Sequence, residues 1–541
     1  MTKFFITFVV LFILQTLQAQ TYVGFRADIE NYAQSLQLPT LVVAVADADS
    51  LIFFKGIGSA KTETQVPITP DNIFSIASVT KSFTSVLLQQ LEAEGRISLT
   101  DPIDRYPNKY FTKDRWTNNT TLAHIVSQTS ESRPLGTNFV YNGSKYNIAF
   151  NAFAYINPPV DAESISRPFT MELERRILDP LKMTHTLVSY KEAEDSTLIK
   201  YVVTPYEYNA SANKYIAQPV DLHNIECGPG YGMMSSVKDL VNYSHALDNE
   251  TLISKQRYIK ITSPYYSNSP YGEGWFTCNF EGIDINWAYG YGNSDAAILL
   301  KVPSRNLTFI LLYSCSMPSA TTRLGYGNPL NSPLVCSFIR NFVLNLSVPF
   351  QFSGDVKSIE NEIQKNVRGN NSRISIEETF AKATVSLFSQ TATLSEKERS
   401  IQLLKFLIKN YPNDSIWYSN TAFELIASLD DDYILNFASG ISKSFYKMQN
   451  LHPAKLYFTG FINEKLGNTQ YAIQLFKILA EGDAYDEQGY KFDALMKLAK
   501  YFEKSNPKLS KYYLRNLIRY KEYIDKQDDQ YKEAKEMNSK L

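Results

Sequence analysis

The chain reads as an α+β domain, an antiparallel sheet covered by helices, followed by an all-α domain of helical repeats. From about Tyr22 to Pro349, strand-like apolar runs mix with helical ones between turns rich in Gly, Pro and Asn. A polar stretch between Gln351 and Arg373 then breaks the pattern with Ser353-Gly354-Asp355 and Gly369-Asn370-Asn371-Ser372. Beyond it the apolar period is helical throughout. At 541 residues the chain exceeds one ordinary domain. The boundaries expected are 1–19 for a signal peptide, 20–350 for the first domain, 351–375 for a linker and 376–541 for the helical domain.

Met1-Thr2-Lys3, the apolar run Phe4 to Leu14 and the segment Gln15 to Gln20 read as a secretory signal peptide cut after Ala19. This makes the mature protein secreted or periplasmic. The run is shorter than the roughly 20 apolar residues of a membrane span, so no stable span is expected. A formal net charge of −1 gives no bulk attraction to nucleic acid or an acidic membrane, and nucleic acid is not expected as a partner. Cys227, Cys278, Cys315 and Cys336 lie too far apart for a zinc ribbon and leave three disulfide connectivities open after export. Cys315, just after the apolar run Leu307 to Leu312, equally suits a buried core position. The five histidines show no ligand spacing, so neither metal nor cofactor is expected.

Leu41 to Ala46 and Leu51 to Phe54 form a strand-like pair around a polar turn, and Phe83, Val86, Leu87 and Leu91 mark a helix. Between them stands Ser78-Val79-Thr80-Lys81, an S-x-x-K tetrad. The same spacing recurs at Ser235/Lys238, Ser444/Lys447 and Ser505/Lys508, but only the Ser78 copy opens an apolar helix after a strand pair. Residues i and i+3 share a helix face, so Ser78 and Lys81 can meet. Ser78 also falls at the positive end of the helix dipole, which stabilises developing negative charge. Late strands are expected at Asp284 to Trp287, Ala296 to Val302 and Leu307 to Tyr313, the last two joined by the turn Pro303-Ser304-Arg305-Asn306. A helix over Ser337 to Leu346 follows. In the second domain, Ser395 and Glu398 suggest a capping box ahead of Ile401, Leu404, Leu407 and Ile408, a helix ended by Asn410-Tyr411-Pro412. Leu456 to Leu466, Gly467-Asn468 and Gln470 to Leu479 read as helix, turn and helix. Gly460, Ala472 and Phe476 stand at the separations of tetratricopeptide packing positions, so this part resembles a short helical solenoid; a non-repeating bundle is the alternative.

Several segments resemble, in register, class C serine β-lactamases and the related penicillin-binding proteins, D-aminopeptidases and esterases. They are Phe74 to Ser82, Gly95 to Ile103, Leu122 to Ser130, Asp179 to Met183, Gly232 to Leu240 and Tyr271-Gly272-Glu273-Gly274-Trp275. In the third of these, Gln128 stands where the family has His. The family's Y-x-N box looks like Tyr141-Asn142-Gly143, and its K/H-T-G box aligns with Ala288-Tyr289-Gly290. Two departures stand out: Gly143 lacks the amide, and Ala288 lacks the cation that attracts a substrate carboxylate. The resemblance implies a β-lactamase/transpeptidase-like fold and an oxyanion hole from the backbone N–H groups of Ser78 and Tyr291. It implies Ser78, Lys81 and Tyr141 as catalytic residues, with Gly143, Ala288, Tyr289 and Gly290 at the substrate. An unperturbed lysine, with a pKa of about 10.4, is almost never neutral at pH 7. Lys81 must therefore be desolvated or lower the pKa of Tyr141, and either residue can be the proton acceptor.

The function expected is that of an exported serine hydrolase acting on an ester or amide of a small molecule or peptide through an acyl-enzyme on Ser78. The alternative is a catalytically silent relative whose helices recruit a protein partner. Retention of Ser78, Lys81 and Tyr141 favours the first; Gly143 and Ala288 keep the second open.

Overall fold

The structure, a computed structural model, describes residues 23–541 apart from 62–64, 107–115, 117–118, 133, 159–165, 189–196, 210, 220–226, 268, 281, 345–354, 369–371, 390–391, 444–450, 483–488 and 522–528. The expected signal peptide lies outside the described residues. The strands are β1 (Thr40–Ala46), β2 (Leu51–Gly58), β3 (Ile73–Ala77), β4 (Tyr206–Asn209), β5 (Lys214–Ala217), β6 (Met233–Ser236), β7 (Phe276–Phe280), β8 (Ile283–Tyr291), β9 (Ala296–Val302) and β10 (Leu307–Tyr313).

β1, β9 and β10 are buried along their whole length. Strands of this kind need cover on both faces. They form the centre of a six-stranded antiparallel sheet in the order β2-β1-β10-β9-β8-β7. The β1–β2 turn is set by Asp47, whose carboxylate accepts from the N–H groups of Asp49 at 2.9 Å and Ser50 at 2.8 Å. Asn306 adopts the left-handed conformation, φ 51°, that closes the β9–β10 hairpin.

Register assigns the two faces. Ala44 pairs with Ile310, Ile310 with Leu299 and Leu299 with Ala288, so these residues share one face. That face joins the core around the helix α2 (Thr80–Ala93). On the opposite face, Val45 lies between Phe53 and Phe309. There Phe25, in the helix α1 over residues 23–35, meets Phe53 edge-on at 4.9 Å. Phe309 stacks at 4.8 Å on Phe338 of the helix Pro333–Phe338, which begins four residues before the expected Ser337. A smaller antiparallel pair, β3 with β6, carries the segment leading into α2.

The described chain divides into two compact units, the first holding the residues up to Ser127 together with Gly143–Phe406, the second holding Gln128–Asn142 and Leu407–Leu541. The division falls later than the expected linker, where a helix instead runs over Val356–Arg368. Ile359 and Ile363, four residues apart, are both buried, so the stretch is amphipathic rather than merely polar. The following helix, Ser372–Phe388, is tied to the sheet unit by a buried ion pair, Arg340 to Glu378 at 2.5 Å. The helix Leu394–Asn410 is capped by Thr393 and Glu396, two residues before the expected Ser395 and Glu398. The Thr393 N–H and hydroxyl donate to the Glu396 carboxylate at 2.7 and 2.8 Å, and the Glu396 N–H returns to Thr393 Oγ1 at 3.2 Å.

The second unit is helical. Its helices Pro453–Lys465 and Thr469–Glu481 are joined at Gly467, φ 76°, and pack closely enough that a Cβ on Gly460 would come 2.6 Å from the Phe476 ring. Glu464 accepts from Lys497 at 2.6 Å and from the Tyr501 hydroxyl at 2.9 Å, joining the helix Tyr490–Phe502 to this pair. No helix among the described residues is long and apolar enough to cross a membrane. Cys227, Cys315 and Cys336 are buried thiols.

In the first unit, Glu273 is buried beside α2, where it accepts from the Gln89 side chain at 2.8 Å. Burial, opposed by Lys260, Gln89 and Arg257 and reinforced by Glu92, pushes its carboxyl from 4.5 up to about 7. The native state therefore holds the proton more tightly than the unfolded chain, and the stabilisation is lost as pH rises from about 4.5 through 7. Glu273→Gln, which mimics the protonated acid, should match the wild type near pH 4.5 and exceed it by on the order of 2 kcal/mol at pH 8. Urea unfolding across this range checks it, and a difference independent of pH would refute the assignment.

Candidate active site

β3 ends at Ala77 with φ 42°, a left-handed conformation that costs a residue with a Cβ roughly 1–2 kcal/mol. The kink turns the chain sharply before α2. Val79 N–H closes the turn on Ile76 O at 2.9 Å, and Lys81 N–H bonds Ser78 O at 3.0 Å. Thr80 braces it further: its hydroxyl donates to Ala77 O at 2.6 Å and accepts from Met233 N–H of β6 at 3.3 Å. Ser78 thus stands half-exposed just ahead of α2, which starts at Thr80. The side chain sits at the positive end of a 14-residue helix.

Lys81 is 1% exposed. Its Nζ donates to Ser78 Oγ at 2.8 Å and to Gly230 O at 2.7 Å. Gly230 is fixed in turn by Asn147, whose Oδ1 accepts its N–H at 2.8 Å, and a Cβ on Gly230 would come 2.8 Å from Gly143 O. The Tyr146 ring lies under Lys81 Nζ at 5.2 Å, a cation–π distance, and its hydroxyl donates to Lys81 O at 3.3 Å. Gly274 closes the same wall: its φ is 83°, and a Cβ there would come 2.6 Å from Lys81 O. Lysine, serine, tyrosine and two glycines therefore form one interlocked group.

The third box arrives on β8. A Cβ on Gly290 would lie 2.2 Å from Ile76 O and 3.0 Å from Ser78 N, so only glycine lets the strand reach the turn at Ser78. Tyr291, the next residue, is 45% exposed. Ala288 is buried on the face toward α2, whereas Tyr289 meets Gly325, whose Cβ would come 3.2 Å from the tyrosine ring. The turn after β8 is held by Asp295, which accepts from the Ser75 hydroxyl and whose carbonyl takes Gly292 N–H at 3.0 Å. Burial raises the Asp295 carboxyl, and the Ser75 bond opposes it.

Tyr141 belongs to the Gln128–Asn142 segment of the second unit, with its ring edge-on to Phe139 at 6.4 Å. Gln128, the residue in place of the family's histidine, shapes this segment. Its carbonyl takes Val140 N–H at 2.9 Å, its side-chain Oε1 takes Asn142 N–H at 2.7 Å, and its own φ is 58°.

The structure thus joins Ser78 to Lys81 directly, brings Gly143 against the lysine's carbonyl partner and sets Gly290 against the nucleophile turn. Sequence reasoning missed Tyr146, Asn147, Gly230 and Asp295 as parts of the site and used Gly274 only as a landmark. Among the described residues no group of three or more His, Cys, Asp or Glu side chains is placed to hold a metal.

A hydroxyl and a buried amine meeting at a strand-to-helix turn, with a glycine-bearing strand alongside, belong to the fold of the serine hydrolases of the β-lactamase and penicillin-binding-protein kind. The chain is a member of the beta-lactamase family, whose model matches residues 25–321. It is 26% identical over 234 residues to a β-lactamase of Pseudomonas fluorescens, covering 40% of this chain and 62% of that one. It is 23% identical over 313 residues to protein flp of Staphylococcus aureus strain N315, covering 52% of this chain and 61% of that one. The match thus spans about three fifths of each curated relative. In fold it is similar to the octameric penicillin-binding protein homologue from Pyrococcus abyssi, at a TM-score of 0.50 and 19% identity over 62% of this chain and 81% of that one.

The contact at Gly290 gives a direct test. Gly290→Ala must push β8 away from Ile76 and Ser78, and is expected to slow labelling of the serine by a fluorophosphonate about tenfold or more, the effect of about 1.4 kcal/mol on a barrier. Gly440→Ala, in open space on the helix Asp432–Ser442, is the control and should leave the labelling rate unchanged. Equal rates for both variants would show that the β8 contact does not set the serine's reactivity.

Proposed function

We propose that the protein is an exported serine hydrolase that cleaves an ester or amide through an acyl-enzyme on Ser78. The observation that carries the reading is the 2.8 Å contact between Lys81 Nζ and Ser78 Oγ at the head of α2. In this reaction Ser78 Oγ attacks the substrate carbonyl while its proton passes to Lys81 and Tyr141 acting as one unit. The carbonyl oxygen becomes an oxyanion, for which the backbone N–H groups of Ser78 and Tyr291 are the proposed donors. Collapse breaks the bond to the alcohol or amine, which leaves with that proton, and water then hydrolyses the Ser78 ester. Export rests on Lys3 and the apolar run Phe4 to Leu14.

Intact-mass analysis after fluorophosphonate treatment tests the nucleophile and the export signal together. One adduct is expected on the secreted wild-type chain beginning at Gln20, and none on Ser78→Ala. The two tyrosines separate roles. Tyr141→Phe should cost orders of magnitude in turnover, whereas Tyr146→Phe, which keeps the ring beneath Lys81 and loses the hydroxyl's bond to Lys81 O, should cost about tenfold or less. The reverse ranking would transfer the proton-transfer role to Tyr146.

Substrate choice follows from Ala288 and Gly143. A carboxylate docking without a cationic partner forgoes roughly 1.5–3 kcal/mol of a charge-assisted hydrogen bond, about one to two powers of ten in affinity. Neutral short-chain esters should therefore be turned over faster than penicillin- or cephalosporin-like anions. Faster hydrolysis of an anionic β-lactam than of a neutral ester by the wild type would sink this reading of specificity.

A further inference from the structure

A cavity of about 540 Å³ lies in the sheet unit on the far side of β1 and β10 from α2. Its walls come from α1, the helix Pro333–Phe338, the helix Ser372–Phe388 and the start of the helix Leu394–Asn410. Its volume is in the range of small-molecule sites. Two acidic and two basic side chains line it, Asp28, Glu396, Lys382 and Arg399, with Leu334 and Val385 as apolar wall. A lining of this balance suits a ligand that carries both signs and no net charge.

Asp28 is the decisive group. It is 5% exposed, its Oδ2 accepts from the Ser337 hydroxyl, and its Oδ1 has no hydrogen-bond partner among the described residues. A buried acceptor left in that state is unfavourable unless something supplies the donor. Arg340, a buried guanidinium whose charge acts on Asp28, is already bonded to Glu378 at 2.5 Å. Glu396 is engaged as the cap of its own helix. Burial raises the Asp28 carboxyl to about 6 and lowers the Lys382 amine to about 7, and the charge of each opposes the shift of the other.

We propose that this cavity binds a small zwitterion of amino-acid or dipeptide size, its ammonium on Asp28 Oδ1 and its carboxylate between Lys382 and Arg399. The apolar side chain of the ligand then rests on Leu334 and Val385. The inference does not rest on the catalytic reading, because none of these residues touches Ser78 or Lys81.

Calorimetric titration of the full-length protein with alanine and glycylglycine tests it, with N-acetylalanine, alanine amide and N-acetylglycylglycine as blocked analogues. Saturable binding of a zwitterion is expected, with each blocked analogue about tenfold weaker or worse. Asp28→Asn and Arg399→Gln should each weaken binding by about the same factor while fluorophosphonate labelling at Ser78 is unchanged. Arg399 is only partly buried and decides the matter alone if Asp28→Asn fails to fold. No saturable binding of either zwitterion up to roughly 10 mM, equal affinity for the blocked analogues, or wild-type affinity in the folded variants would each overturn the proposal.

Discussion

The backbone contact between β8 and the Ile76–Ser78 turn is the constraint on which the site depends. At Gly290 the strand comes so close to Ile76 O and Ser78 N that no side chain fits between them. Everything around it serves to hold that approach. The left-handed Ala77 brings the turn forward, Thr80 ties it to β6, and the Ser75 bond to Asp295 anchors the far end of the β8 turn. On the other side of Ser78, Lys81 is fixed by a carbonyl, an aromatic face and the tight backbone at Gly274. Position is thus set by main-chain geometry and close packing, which vary little during a reaction and need no reorganisation as charge develops.

Much of this was legible in the sequence wherever the signal is local. The strand pair, the apolar period of α2 and the S-x-x-K tetrad lie within about fifty residues and carry their own pattern, so the contact of Ser78 with Lys81 could be picked from four copies of the same spacing. The hairpin at Pro303 to Asn306 and the turn at Gly467 likewise announce themselves through turn residues. Gly230 and Asp295 do not, because a carbonyl acceptor and a single carboxylate have no spacing to recognise and lie 149 and 220 residues from their partners. The stretch read as a linker shows the converse error. Its glycines and polar residues outweighed Ile359 and Ile363, whose spacing of four is the helical signal once the sheet unit offers them a surface. The capping box was misplaced by two residues because Thr393 and Ser395 are equivalent by composition, and only the carboxylate's reach to the Thr393 N–H distinguishes them.

The two departures from the family's boxes acquire a physical meaning from the fold. Ala288 continues a row across the sheet with Leu299, Ile310 and Ala44, all facing α2, and the small side chains in that row let the helix lie close to the strands. The box position expected from the resemblance to carry a cation is here part of the core. Gly143 similarly offers its carbonyl to the close packing around Gly230 rather than an amide to a substrate. Neither change alters the 2.8 Å contact of Ser78 with Lys81 or the approach of Gly290, since those rest on other residues. The Ser78–Lys81 contact and the two altered box positions are therefore separable in this protein: the first is set by the backbone around α2, and the second are taken up by close packing.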